Sequence, residues 1–139
     1  MIDDGEAMFV CLPDVRWVMH RDGRPTGLLR LLSDLVYISA GHREYRVPAG
    51  FTTDLASVPT WLPLFLRYLF RDQLRTAWAA ILHDWLYTEQ KLPRATCDAL
   101  FYEALIASGE TGVGAWAMWL GVRAGGWRSW RQVRRARRV

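Results

Sequence analysis

Two residues that handle protons stand four apart near the middle of this chain, and a carboxylate follows them. His83 and Tyr87 lie in Ala80-Ile81-Leu82-His83-Asp84-Trp85-Leu86-Tyr87, and Asp98 lies in Arg94-Ala95-Thr96-Cys97-Asp98-Ala99-Leu100-Phe101. Helical spacing puts His83 and Tyr87 on one face, one turn apart. Between the segments lies Gln90-Lys91-Leu92, closed by Pro93, a residue suited to the first turn of a new helix. If the two helices fold back antiparallel, His83 and Asp98 each sit about seven residues, ~11 Å, from the turn and meet at one level. A carboxylate facing an imidazole fixes its tautomer and raises its basicity, as a water-activating base requires. Asp84 projects round the helix from His83, where it could ligate a cation beside the same pocket. Sealed from solvent, the same His83, Asp98 and Tyr87 would instead fix helix register.

The elements that must hold these groups follow from the pattern around them. Val15 to His20, Leu28 to Leu32, Leu35 to Ala40 and Arg43 to Val47 read as strands, separated by turn-rich segments such as Arg21-Asp22-Gly23-Arg24-Pro25 and by Gly41-His42. Pro48 to Pro63 is a transition in which Ser57 or Thr60 suits a helix cap and Pro59 a first turn. Helices are predicted for Trp61 to Phe70, for Asp72 to Glu89 (apolar at Leu74, Ala77, Trp78, Ile81, Leu82 and Trp85), for Pro93 to Ser108, and for Thr111 to about Arg123. Gly109 marks a stop. Strands first and helices afterwards is the α+β pattern: an N-terminal antiparallel β meander, then a bundle of about four helices built on the His83/Asp98 hairpin. The expected division is one domain over 1–126 and a Trp/Arg-rich tail over 127–139. Cys97 reads as a small core residue rather than a nucleophile.

His83-Asp84-Trp85-Leu86-Tyr87 with Asp98 and Phe101 resembles the catalytic helix pair of secreted phospholipase A2, especially its small bacterial and viral forms. That resemblance implies His83 as the base for an attacking water, Asp98 as its orienting partner, Asp84 as a calcium ligand and Tyr87 as a supporting hydroxyl. Asp54 is the spare carboxylate that would join Asp84 at the calcium. A second resemblance spans three blocks: Val47-Pro48-Ala49-Gly50-Phe51-Thr52-Thr53-Asp54-Leu55-Ala56-Ser57-Val58-Pro59, then His83 to Tyr87, then Asp98 and Phe101. Together they look like an uncharacterised domain family of tailed phages and prophages. This implies a phage or prophage origin and the convergence of Asp54 and Ser57 on His83.

Composition sets the outer bounds. The chain has 139 residues, 51% apolar and 23% charged, enough to bury a core and too apolar for disorder. Two cysteines with no CxxC pair support neither a disulfide framework nor a cysteine zinc site. The acidic Met1 to Glu6 segment is unlike a signal peptide, and no apolar run is long enough for a membrane span, so a virion or host-cytoplasm location is expected. Seven Arg and no acid occupy 123–138, which leaves 11 basic against 14 acidic residues elsewhere. Trp127, Arg128, Trp130, Arg131, Arg134 and Arg135 are therefore the candidate partner-binding residues. Nucleic acid, a lipid surface and an acidic groove on another subunit all match that composition, and the last is favoured over nucleic acid. Two functions are expected from these readings. The first is a phage virion or assembly protein, an interaction module of the tail or baseplate that contacts other phage structural proteins. The alternative is a His–Asp hydrolase, of phospholipase type and assisted by calcium, acting on lipid or another component of the host cell envelope.

Overall fold

The computed structural model describes residues 6–54 and 73–138. Among the described residues six short strands come first: β1 (Met8–Cys11), β2 (Val15–Met19), β3 (Pro25–Leu31), β4 (Leu35–Ile38), β5 (Glu44–Val47) and β6 (Thr52–Thr53). They pair antiparallel in two three-stranded sheets, ordered β1-β4-β5 and β2-β3-β6. In the first sheet Tyr37 lies opposite both Phe9 and Tyr45, with the Phe9 and Tyr37 rings 4.8 Å apart. In the second, Leu29 lies between Trp17 and Thr53. The strands expected from β-branched and aromatic content are present within a few residues. β1 and β6 add to them, and neither announces itself in sequence because each is short and depends on its neighbour for pairing.

Four helices follow among the described residues: α1 (Gln73–Glu89), α2 (Arg94–Ala107), α3 (Gly112–Gly125) and α4 (Trp127–Ala136). The arrangement is the expected α+β one. The helix expected over Trp61 to Phe70, and Ser57, Pro59 and Thr60 with it, lie outside the described residues. Residues 127–136, read from sequence as part of a tail, form α4 and pack on the body of the molecule.

Local chemistry explains the helix ends. Gln90 turns the chain out of α1 with φ +51°, while its amide still bonds Leu86 O at 3.0 Å. A left-handed conformation of this kind is costly for a residue with a side chain. α2 ends in a Schellman motif: Gly109 has φ +91°, its N–H bonds Ile106 O, and Glu110 N–H bonds Leu105 O. Thr111 caps α3 by accepting from Gly114 N at 3.1 Å.

The core forms where the strands meet the helices. Leu31, Leu35, Tyr37 and Val47 are fully buried against Ile81 and Leu82 of α1, Phe101 and Leu105 of α2, and Met118 of α3. Each such side chain contributes roughly 1.5–3 kcal/mol on burial. A polar tie joins sheet to helix: Tyr37 donates to Glu103 Oε1 at 2.6 Å, and Ala40 N–H donates to the same oxygen at 3.1 Å. No helix among the described residues is long and apolar enough to cross a membrane.

Candidate functional site

The α1–α2 hairpin brings together the residues its spacing predicts. His83 Nε2 lies 2.7 Å from Asp98 Oδ1, and Tyr87 Oη donates to that same oxygen at 2.6 Å. All three side chains are buried, Asp98 completely. The imidazole is gripped between rings, 4.2 Å from the Tyr87 centroid and 4.6 Å from that of Phe101. Tyr87 in turn meets Trp130 of α4 edge-on, with centroids 5.1 Å apart.

Two arginines complete the cluster. Arg123 Nη1 donates to Asp98 Oδ2 at 2.8 Å, and Arg94 Nε lies 3.8 Å from that oxygen. Arg94 Nε also donates to Tyr87 Oη at 3.2 Å, and its Nη2 reaches Val122 O and Arg123 O at the C-terminal end of α3. Asp98 therefore receives three hydrogen bonds and sits beside two guanidiniums. Burial alone pushes its carboxyl up; the bonds from His83, Tyr87 and Arg123 outweigh that and hold it below the ordinary carboxylate value. The Tyr87 phenol moves the other way, raised by burial and then by the charge of Asp98, so its proton stays in place as the donor. With Nε2–H directed at a carboxylate, neutral His83 carries its lone pair on Nδ1.

Sequence reading missed both arginines. Arg94 had a signal, since it precedes Asp98 by four residues on one helix and that spacing pairs opposite charges. Arg123 had none, because 25 residues separate it from Asp98 and only the packing of α3 against α2 closes the distance.

Asp84 faces elsewhere, toward β6. Its carboxyl is pushed up by burial and by the neighbouring charge of Asp54, while a hydrogen bond from Thr53 and the nearness of His83 oppose the rise. Asp54 lies near enough to Asp84 for its charge to act there; Ser57 lies outside the described residues. Calcium takes six to eight oxygen ligands. Among the described residues no group of three or more His, Cys, Asp or Glu is placed to hold a metal ion, and one lone pair of Asp84 is already engaged by Thr53. The described residues alone do not make up a calcium site.

The partner-binding candidates divide between the two faces of α4. Trp127, Arg128, Arg131, Arg134 and Arg135 are exposed, whereas Trp130 turns inward onto Tyr87 and its carbonyl accepts from Gln90 Nε2 at 2.8 Å. Arg137 donates to Thr88 O and ties the end of α4 to α1. Cys97 is buried as expected, and burial pushes its thiol up to about 11.

No curated protein and no solved structure matches the chain. A family model does, over residues 29–122, a span that holds β4 to α2 and nearly all of α3, with His83, Tyr87, Arg94 and Asp98 inside it. On that match the chain belongs to a family described as protein of unknown function, DUF1353.

Proposed function

We propose that this protein is a hydrolase in which His83 is the general base for water attack on an ester or amide carbonyl. The observation that carries the reading is the shared oxygen: Asp98 Oδ1 accepts from both His83 Nε2 and Tyr87 Oη, at 2.7 and 2.6 Å. This fixes the ring plane and leaves Nδ1 as the basic nitrogen. In the reaction Nδ1 takes a proton from water as the water oxygen bonds to the carbonyl carbon. Asp98 stabilises the imidazolium. Collapse of the tetrahedral intermediate breaks the bond to the leaving group, which takes the proton back from Nδ1. The bond from Arg123, with those from His83 and Tyr87, holds Asp98 ionised throughout, and no step requires calcium. The resemblance of His83 to Tyr87 and Asp98 to the phospholipase A2 helix pair supports an ester of the cell envelope as substrate. The test is turnover by the purified chain of p-nitrophenyl acyl esters and phospholipids, with and without divalent ions. His83→Gln should lower turnover by about 10²- to 10⁴-fold with an unchanged circular dichroism spectrum. A wild-type chain inert on every substrate defeats the reading and leaves the cluster, buried with His83 at 4% exposure, the register-fixing role of a sealed arrangement.

A second reading, a tail or baseplate module of a phage particle, draws support from a different place. Val15, Trp17 and Met19 of edge strand β2 are exposed, and Trp17 and Met19 line a surface hollow of about 440 Å³ with Pro25 and Gly27. Apolar edges of this kind are ordinarily covered by another chain. Mass spectrometry of purified particles should then find the chain in stoichiometric copies, and its absence counts against this reading.

A further inference from the structure

The α3 helix is apolar all round. Ala115, Met118 and Val122 face the core, while Val113 (76% exposed), Trp116 (55%) and Leu120 face outward. A helix apolar on every side is ordinarily covered on every side. The outward stripe does not stop at the end of α3. Gly126 keeps helical backbone angles (φ −70°, ψ −13°), and the bonds Gly126 N to Val122 O and Trp130 N to Gly126 O carry helical spacing across the junction. Trp127 therefore continues the stripe seven residues after Leu120. Arg131, Arg134 and Arg138 follow at steps of four, three and four, and all are exposed. The outer face changes at Trp127 from apolar to arginine, and the guanidiniums of Arg128 and Arg131 stack on that indole at 5.4 and 5.0 Å. No acidic residue occurs from 111 to 139.

We propose that the outer face of α3 and α4 docks on an anionic phospholipid surface. Trp116 and Leu120 would enter the boundary between headgroups and acyl chains, and the arginines would meet lipid phosphates. Charge selects this occupant. A second copy packed in parallel would bring two arginine stretches together, and an antiparallel one would set each arginine stretch against an apolar one, both at a cost. Nucleic acid would engage the arginines and leave Val113, Trp116 and Leu120 in water, whereas an anionic bilayer satisfies both halves of the stripe. The surface lies outside the His83 cluster, so docking and hydrolysis can fail separately.

Vesicle flotation of the full chain tests this, using phosphatidylcholine with and without phosphatidylglycerol. The chain should float with the anionic vesicles only, and added salt should release it. Trp116→Ser with Leu120→Ser should weaken binding by about tenfold. Arg131→Gln, Arg134→Gln and Arg138→Gln together should weaken it by about a hundredfold. Circular dichroism should report a native helix content in both variants; the salt titration of wild type serves if the triple variant does not fold. Failure to float with anionic vesicles overturns the proposal, as does equal flotation of the Trp116/Leu120 variant. Arginine-dependent binding to duplex DNA without vesicle binding overturns it in favour of nucleic acid. A dimer lost in the Trp116/Leu120 variant, again without vesicle binding, overturns it in favour of a second copy.

Discussion

Arg123 donates to Asp98 Oδ2 at 2.8 Å, on the oxygen that His83 and Tyr87 leave open. A buried carboxylate thus has its two oxygens divided between an α1 face and the end of α3, and three helices converge on one side chain. Removing the carboxylate would strand all the groups aimed at it. Asp98→Ala should cost about 3–5 kcal/mol in urea unfolding, the range for breaking a buried ion pair from one side.

Loss of Arg123 should act on the acid side. Because the folded state holds Asp98 below its ordinary 3.8, the stability this contributes is present above that value and is lost as pH falls through the lower folded value. Arg123→Met removes one of the donors that outweigh burial and raises the folded value. Its acid unfolding midpoint should therefore lie at higher pH than that of wild type, with about 1–3 kcal/mol less stability at neutral pH. An unchanged acid midpoint would show that His83 and Tyr87 suffice.

Alkali should act through two phenols. Tyr37, raised by burial and then by Glu103, and Tyr87, raised by burial and then by Asp98, both stay protonated in the fold past their ordinary 10.0. The unfolded chain gives up those protons first, so stability is intact below pH 10 and falls as pH rises above it. Urea midpoints measured across that range should drop, and Tyr37→Phe should flatten the drop while costing about 1 kcal/mol at neutral pH.

The glycine pair at the α3–α4 junction separates two effects. A Cβ at Gly126 would meet Val122 O at 2.5 Å and Tyr87 Oη at 2.7 Å, whereas one at Gly125 meets nothing within 4 Å. Gly126→Ala should lower stability by about 1–3 kcal/mol through overpacking. Gly125→Ala should raise it by up to about 1 kcal/mol through helix propensity. Thermal melts of the two single variants decide it.

Thiol labelling gives a direct reading of burial. Cys11 is exposed, while Cys97 is buried with its thiol pushed up to about 11. Iodoacetamide at mildly alkaline pH should add one label to the native chain and two after denaturation, counted by intact mass.

The hairpin was legible because its information is local. A four-residue step, a three-residue connection and Pro93 suffice to set His83 and Asp98 at one level, and the contact forms as spacing predicts. β6 was not legible, since Thr52 and Thr53 form a strand only by pairing with Arg30 and Leu29. Arg123 was hidden among arginines that face solvent, and what distinguishes it is tertiary: α3 packs with that one guanidinium pointing at Asp98. The inward turn of Trp130 has the same origin, because an aromatic within an arginine run looks like a surface residue until a tyrosine is found beneath it.

The contact between Trp130 and Tyr87 has a mechanical consequence. The last helix is anchored to the first by an indole against a phenol, by Gln90 on the Trp130 carbonyl, and by Arg137 on the Thr88 carbonyl. Any displacement of that helix must either drag the phenol along, stretching its 2.6 Å bond, or peel the two rings apart. The ring contact is thus the one of these three ties that ends on the proton-bearing interior, while the other two end on the backbone and an amide of the helix turn.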